Sequence, residues 1–389
     1  MVSTRKGRWR FLTVACIGVL LIGEGIARLT PRSLPEVGPN SAQTLLQGHA
    51  TRIWSLIPGT NNNGLSTATI NALGLRGPEP TMPRAPTQER ILVMGDSSFF
   101  GHSVKDDETL SYFLQRRLRA DGVDVEVINA GVPGYSTLQG RELLREVGWD
   151  LEPTLLLLGF LWSDNHFENH ADRDLLQRRR AARYNPLVHS VLFQWLAARV
   201  TQEFRPKGQT IDWRTSVDNT PSVGEQVRRV ALTDYAEQLA AIAADAAERG
   251  AGTVLLTPTN PGQLSGQTPR LHSSWMPYYD AQAEIADAYG LVRIDALPAL
   301  QAAQIPPEAL FVDVMHPSGA ANELFANSVA DALAGAGWPV KTLQATPNPG
   351  FNPADRVDPH AKGWSHIPGP DDREPSPLDG LQGAGPAQN

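Results

Sequence analysis

The chain has 389 residues, of which 41% are hydrophobic, with a net charge of −7 and a single cysteine, Cys16. This length suffices for one sizeable domain or two small ones, each with its own core. The negative charge and the absence of a long basic run beyond the N-terminus argue against nucleic acid as a partner. One cysteine can build neither a disulfide framework nor a cysteine-based metal site.

The first 30 residues have the pattern of a targeting segment. A basic flank over 5–10 precedes an uncharged run over 11–23, and Glu24 and Arg28 follow it. The run is shorter than the about 20 apolar residues that span a bilayer, and no clean cleavage site follows it. We favour an uncleaved membrane anchor over 1–30, with the rest exported, to the periplasmic side of the inner membrane in a Gram-negative cell. A cleaved signal is the alternative.

Residues 31–88 are predicted to be a linker and a leading segment, because 31–60 are rich in Pro and polar residues. Five apolar runs of strand length follow, at 91–94, 123–128, 154–160, 253–256 and 291–294. Helical patterns alternate with them at 109–118, 138–147, 230–249 and 278–289. This alternation predicts a three-layer α/β/α sandwich with a five-stranded parallel sheet over 89–340.

Two stretches depart from this rhythm. Residues 166–229 are predicted to be an insertion, with a helix over 185–200 that carries Trp195. An insertion after the third strand would lie over the site and could shape specificity. The tail over 341–389 is rich in Pro and Gly, and is predicted to be disordered because it has too little apolar surface for a core.

Small polar residues follow the first three predicted strands. Gly95-Asp96-Ser97 comes after the first, residues 129–134 after the second and 161–165 after the third. Parallel sheets carry their sites at the carboxyl ends of their strands, so these segments are expected to meet.

A candidate catalytic set combines this edge with a later segment. Asp313 and His316 stand three residues apart. A serine hydroxyl becomes an effective nucleophile when a neighbouring base takes its proton, and a carboxylate can orient that base. Ser97 is therefore the candidate nucleophile, His316 the base and Asp313 its orienting group. Asp96 is expected to be structural, bonding the backbone of its own turn, and His102 a loop residue.

Over roughly residues 89–335 the chain resembles the SGNH, or GDSL, hydrolase superfamily. The matching blocks are Gly95-Asp96-Ser97, residues 129–134 and the segment from Asp313 to His316. The resemblance implies a flavodoxin-like parallel sheet, Ser97 as nucleophile, the Asp313–His316 pair completing a triad, and no metal or organic cofactor. It also implies an oxyanion hole formed partly by a glycine N–H and an Asn side chain. The N–H groups of Ser97 and Gly134 are natural donors, because glycine lets the backbone approach closely.

One block departs from the family pattern. The family usually shows Asn-Asp after the third strand, whereas this chain has Asp164 followed by Asn165. Ungapped alignment places Asp164 at the oxyanion position, where a carboxylate would repel the developing charge. A loop shifted by one residue would bring in Asn165 instead, and we favour that residue.

Each motif also has a structural alternative. Ser97 could be a helix N-cap, Gly134 could only shape a turn, and Asp313 with His316 could cap a helix over 320–333.

Three functions from different classes follow from the sequence. The first is a serine esterase that hydrolyses small acyl esters through an acyl-enzyme on Ser97. By fold-level analogy, the resemblance implies acetyl esters on cell-envelope or extracellular polysaccharide as the substrates. The second is an O-acyltransferase that uses the same triad. The third is a non-catalytic carbohydrate-binding protein on a degenerate hydrolase scaffold, and the order Asp164-Asn165 is its support.

Overall fold

The computed structural model describes residues 3–29, 45–49, 51–59, 68–168, 170–182, 190, 192–193, 227–265 and 272–355. Its strands are β1 Leu46–His49, β2 Ile53–Leu56, β3 Glu89–Gly95, β4 Val125–Asn129, β5 Leu155–Gly159, β6 Phe167–Glu168, β7 Val227–Arg228, β8 Gly252–Thr257 and β9 Val292–Asp295. Its helices are α1 Ser3–Leu29, α2 Ser97–Phe100, α3 Leu110–Ala120, α4 Thr137–Leu143, α5 Trp162–Asn165, α6 Asp172–Ala182, α7 Leu232–Glu248, α8 Pro261–Leu264, α9 His272–Tyr289, α10 Leu297–Ala302, α11 Pro307–Leu310 and α12 Gly319–Gly335.

The central sheet has five strands in the order β4-β3-β5-β8-β9. Every neighbouring pair is parallel. The predicted five-stranded parallel sheet is therefore confirmed, and each predicted run lies within two residues of an observed strand. The chain passes from β3 to β4 on one side and then to β5 on the other. The carboxyl end of β3 is thus a topological switch point, where open α/β sheets bind their ligands.

Helices cover both faces of the sheet, which gives the predicted three layers. Along β3, Leu92 and Met94 pack into the core under α4, α7 and α9. Ile91 and Val93 pack into a second core under α3, α10 and α12. This division follows from strand geometry, since successive side chains point to opposite faces. All four are less than 2% exposed, as expected for a parallel sheet buried on both sides.

A hairpin occupies part of the segment predicted to be a linker. Strands β1 and β2 pair antiparallel, and Trp54 and Leu56 on β2 are each only 1% exposed. Both side chains belong to the core beneath α4, α7 and α9. The polar composition of 31–60 concealed this element, because the apolar residues that anchor the hairpin lie in two four-residue strands.

Within the insertion the structure describes residues 166–168, 170–182, 190, 192–193 and 227–229. Strands β6 and β7 pair antiparallel, with Phe167 opposite Arg228. This pairing brings together the start and the end of the insertion. Helix α6 follows β6. Most of the helix predicted over 185–200 lies outside the described residues.

The N-terminal segment forms a single helix, α1. Arg28 donates a hydrogen bond of 2.8 Å to Glu24 one turn earlier, so the two charges pair. In the part of the chain that the structure describes, no helix combines the length and apolarity needed to cross a bilayer. The membrane anchor over 1–30 stays a prediction.

The segment after α12 packs against the domain, although the sequence predicted disorder from residue 341. The Leu343 carbonyl accepts the N–H of Thr253 at 2.9 Å, and the Leu343 side chain is 9% exposed. The N–H of Thr346 donates to the Tyr289 carbonyl at 2.8 Å, and the Phe351 ring meets Tyr289 edge-on. The remainder of the predicted disordered tail, 356–389, lies outside the described residues.

These contacts make a truncation informative. We expect deletion of 341–389 to lower the free energy of unfolding by about 2–4 kcal/mol, from one buried apolar side chain and two or three hydrogen bonds. Deletion of 356–389 keeps every contact named above and should leave the unfolding midpoint unchanged. Urea denaturation of both truncated proteins beside the full chain measures this. Equal midpoints for the two truncations would show that 341–355 contribute nothing.

Candidate active site

The nucleophile turn begins where β3 ends. Ser97 is the first residue of α2, and the preceding Asp96 caps that helix by accepting the N–H of Ser98 at 3.0 Å. The turn lies tightly on the sheet because the ring of Phe99 covers Gly159 on β5. A Cβ at Gly159 would come within 1.7 Å of that ring, so only glycine fits there. Ser97 is thereby presented at the switch point of the sheet.

Asp96 connects two of the segments that follow strands. It is fully buried, and its second carboxylate oxygen accepts the N–H of Ser163 at 3.3 Å, at the start of α5. Burial raises its pKa, while the N–H donors and the neighbouring His316 lower it in part. The prediction that Asp96 bonds the backbone of its own turn is confirmed, and Asp96, not Ser97, is the N-cap.

The three candidate catalytic side chains are in hydrogen-bond contact. His316 Nε2 lies 2.7 Å from Ser97 Oγ, and His316 Nδ1 lies 2.6 Å from Asp313 Oδ2. The other oxygen of Asp313 accepts the backbone N–H groups of Met315 and His316, at 2.9 and 2.8 Å. These bonds orient the imidazole with one nitrogen towards the carboxylate and the other towards the serine.

The charge state of Asp313 suits this role. Burial alone would raise its pKa, but the hydrogen bond and charge of His316, with the two N–H donors, outweigh burial and lower the pKa to about 2. The carboxylate is therefore ionised at neutral pH. It can stabilise the imidazolium that forms when His316 takes a proton.

The loop that carries the pair is fixed at both ends. Phe311 and Pro317 form a β-bridge across it, and the Ser98 hydroxyl donates to the Met315 carbonyl at 3.3 Å. Helix α12 is capped by Ser318, whose side chain accepts the N–H of Ala321. The alternative in which Asp313 and His316 cap that helix is therefore not what the structure shows.

His102 was expected to be only a loop residue, but its ring packs against the candidate base. The ring centroids of His102 and His316 lie 4.5 Å apart with the planes tilted by 45°. The His102 N–H also donates to the Ser97 carbonyl at 3.0 Å. The sequence did contain one indication of this contact, because His102 stands five residues after Ser97. That spacing places His102 just beyond one helical turn from the nucleophile.

Two backbone N–H groups follow the ends of neighbouring strands. Neither the Ser97 N–H nor the Gly134 N–H donates a hydrogen bond to a described residue. Gly134 follows β4 with a φ of +75°, a conformation that favours glycine. Since β4 neighbours β3, both donors lie at the same edge of the sheet.

Neither candidate for the side-chain oxyanion donor reaches Ser97. Asp164 is buried, and its Oδ1 accepts the N–H and the hydroxyl of Thr137, at 2.9 and 2.6 Å. The Asn165 amide donates to the Leu161 carbonyl at 2.9 Å. No hydrogen bond joins either side chain to Ser97 in the described part of the chain. The assignment of Asn165 to the oxyanion hole stays a prediction.

Asp164 has an unusual environment. Burial raises its pKa to about 7, against the lowering effect of the two Thr137 hydrogen bonds and the charge of Arg229. Its second oxygen, Oδ2, is buried and has no hydrogen-bond partner. The carboxyl group is therefore about half protonated at neutral pH, which reduces the repulsion expected from a buried carboxylate.

Hydrogen bonds join Ser97 to His316 and His316 to Asp313, and Ser97 lies at the switch point of a parallel α/β sheet. Serine hydrolases use this arrangement of side chains. No family model matches the chain, and no curated protein matches it at a significant level.

Solved structures similar to the chain include three enzymes. They are LAE5, an alpha/beta hydrolase enzyme from the metagenome of Lake Arreo (14% identity, 63% of this chain and 95% of that one, TM-score 0.42), the lipase/acylhydrolase from Enterococcus faecalis (18%, 64% and 97%, 0.41), and Axe2, an acetylxylan esterase from Geobacillus stearothermophilus (16%, 63% and 94%, 0.41). Similarity at this level says nothing about the substrate of this chain.

Proposed function

We propose that this chain is a serine esterase of the SGNH type that hydrolyses small acyl esters through an acyl-enzyme on Ser97. The observation that carries the proposal is the continuous hydrogen-bonded series from Ser97 Oγ through His316 to Asp313. The scaffold is therefore not degenerate at its triad. This favours catalysis over the non-catalytic carbohydrate-binding alternative.

The mechanism follows from the orientation of the imidazole. With its Nδ1 proton directed to Asp313, His316 presents the lone pair of Nε2 to the Ser97 hydroxyl. His316 takes that proton as Ser97 Oγ attacks the ester carbonyl, and the N–H groups of Ser97 and Gly134 stabilise the oxyanion. His316 then protonates the leaving alcohol, and a water molecule activated by the same base releases the acid.

We propose acetyl esters as the substrates, with polysaccharide hydroxyls as the alcohol component, by analogy with the family that the sequence resembles. A cleft of about 510 Å³ is lined by α3, β4 and the segment before β3, and neither Ser97 nor His316 lines it.

A serine-reactive phosphonate tests the proposal directly. It should label the wild-type chain once, at Ser97 in the peptide map, and should not label Ser97→Ala. The same two proteins should differ in the release of acetate from p-nitrophenyl acetate and from an acetylated polysaccharide. Labelling at another residue, or equal acetate release by both proteins, would refute the assignment.

The choice between water and a sugar hydroxyl as the acyl acceptor is measured in the same assay. Adding a sugar acceptor should leave free acetate as the main product if the chain is a hydrolase. Acetyl-sugar as the main product would instead assign the chain as an O-acyltransferase that uses the same triad.

Export from the cytoplasm is also part of the proposal. It rests on the basic flank over 5–10 ahead of the uncharged run over 11–23. Cell fractionation with an antibody against the domain measures it. The domain should appear in the extracytoplasmic fraction, and a full-length form confined to the cytosol would contradict export.

A further inference from the structure

We propose that Trp54, on the hairpin that precedes the α/β unit, is a positioning residue for the Gly134 N–H of the oxyanion hole. This inference rests on the proposed esterase function, because it assigns Gly134 the role of a donor to the oxyanion. It gives the N-terminal hairpin a part in the reaction that the resemblance does not imply.

The first observation is a hydrogen bond to the peptide that contains the donor. The Trp54 indole Nε1–H donates to the Pro133 carbonyl at 3.0 Å, and this bond is buried. The Pro133 carbonyl and the Gly134 N–H belong to one planar trans peptide, so they point in opposite directions. A bond that holds the carbonyl therefore also fixes the direction of the N–H.

The second observation concerns the peptide on the other side of Gly134. The Gly134 carbonyl accepts from Arg229 Nη1 at 2.8 Å. Arg229 is itself held by Asp172, with Nη2–Oδ2 at 2.7 Å and Nε–Oδ1 at 3.1 Å. Both peptides that flank the Gly134 Cα are thus fixed by buried side chains, so neither can rotate without breaking a hydrogen bond.

This restraint matters because glycine alone would not supply it. Gly134 has a φ of +75°, and glycine can leave that conformation more easily than other residues. The Trp54 ring also lies against it, and a Cβ at Gly134 would come within 3.1 Å of the ring. Oxyanion donors contribute most when they are already oriented before the reaction.

Trp54 is well anchored for this task. Its backbone carbonyl accepts the Tyr135 hydroxyl at 2.7 Å, and the two rings meet edge-on at 6.0 Å. The Arg229 guanidinium lies 5.4 Å from the Trp54 ring centroid. Trp54, Tyr135 and Arg229 therefore form one buried cluster around the oxyanion turn.

The test removes the indole donor and follows the transition state. W54F should lower kcat by about 10- to 100-fold with KM changed by less than about threefold, because the oxyanion forms only after substrate has bound. Affinity for a boronate or phosphonate transition-state analogue should fall in parallel. W338F is the matched control, since Trp338 is 7% exposed and belongs to the core on the opposite face. Its kcat should stay within about twofold of wild type.

A second variant separates the donor from its packing. Benzothienylalanine at position 54 replaces the indole N–H with sulfur at nearly the same shape, so it should fold as wild type and show the same loss of kcat. A kcat equal to that of W338F in this variant, or a loss found only in KM, overturns the positioning role. Failure of the proposed function is a different result, because Ser97→Ala would then retain wild-type activity.

Discussion

Ser97→Ala and His316→Ala should each lower kcat/KM for p-nitrophenyl acetate by about 10⁴- to 10⁶-fold, and the double variant should be no worse than either single one. The reason is the 2.7 Å contact between Nε2 and Oγ. Neither group can form the acyl-enzyme efficiently without the other. Asp313→Asn should cost about 10³- to 10⁴-fold, because it loses the charge that orients and stabilises the imidazolium.

The neighbouring serine gives a matched control. Ser98 follows the nucleophile directly, and its hydroxyl makes one bond, to the Met315 carbonyl. A neutral bond of this kind contributes about 1 kcal/mol, so Ser98→Ala should lose less than about tenfold. Steady-state kinetics on these five variants beside the wild-type protein measures these effects. A double variant that loses the product of the two single losses would show that Ser97 and His316 act independently, which contradicts the mechanism.

The site residues that the sequence predicted all lie in or next to segments with a recognisable local sequence pattern. Strand-length apolar runs alternating with helical patterns predict a parallel sheet. Such a sheet brings the carboxyl ends of its strands together whatever the loop sequences are. Ser97 and Gly134 could therefore be placed at one edge, and Asp313 and His316 were then recognised by their chemistry and spacing.

The parts that the sequence missed depend on contacts between distant residues. Trp54 bonds Pro133 across 79 residues, and a tryptophan in a polar stretch carries no sign of that partner. The Leu343 carbonyl accepts a hydrogen bond from the N–H of Thr253 on β8. The amino-acid composition of the tail could not indicate this contact. Local pattern describes the sheet and its helices, but it does not describe the segments that pack on them from outside.

The sequence also left open whether Asp164 or Asn165 lines the oxyanion hole, because the answer depends on contacts with distant residues. An Asp164 carboxylate would repel the oxyanion only if it were ionised and close to it. The structure instead directs Asp164 to Thr137, 27 residues away, and buries it. Whether a side chain is charged depends on its surroundings, which a motif alignment does not contain.

The raised pKa of Asp164 has a consequence for stability. The pKa of Asp164 in the native state is about 7, against the ordinary value of 3.8 for an aspartate. Between these two values the native state keeps a proton that the unfolded chain has lost. Because the unfolded state then binds fewer protons, the contribution of this group to the free energy of unfolding falls as pH rises. The destabilisation is absent below about pH 4, and it is complete above about pH 7 to 8.

Asp164→Asn should remove this pH-dependent loss. The Asn Oδ1 can still accept both Thr137 donors, and the side chain carries no proton to lose. The variant should match wild type near pH 4 and exceed it in free energy of unfolding by a few kcal/mol near pH 8, since each pKa unit corresponds to about 1.4 kcal/mol. Urea denaturation at about pH 4, 6 and 8 measures the difference.

Asp331→Asn is the control, because its carboxylate pairs with Arg117 at the surface and should contribute less than about 1 kcal/mol. A gain for Asp164→Asn that is the same near pH 4 and pH 8 would show that Asp164 does not titrate in this range. A loss near pH 8 would show that the ionised carboxylate stabilises the native state through Arg229.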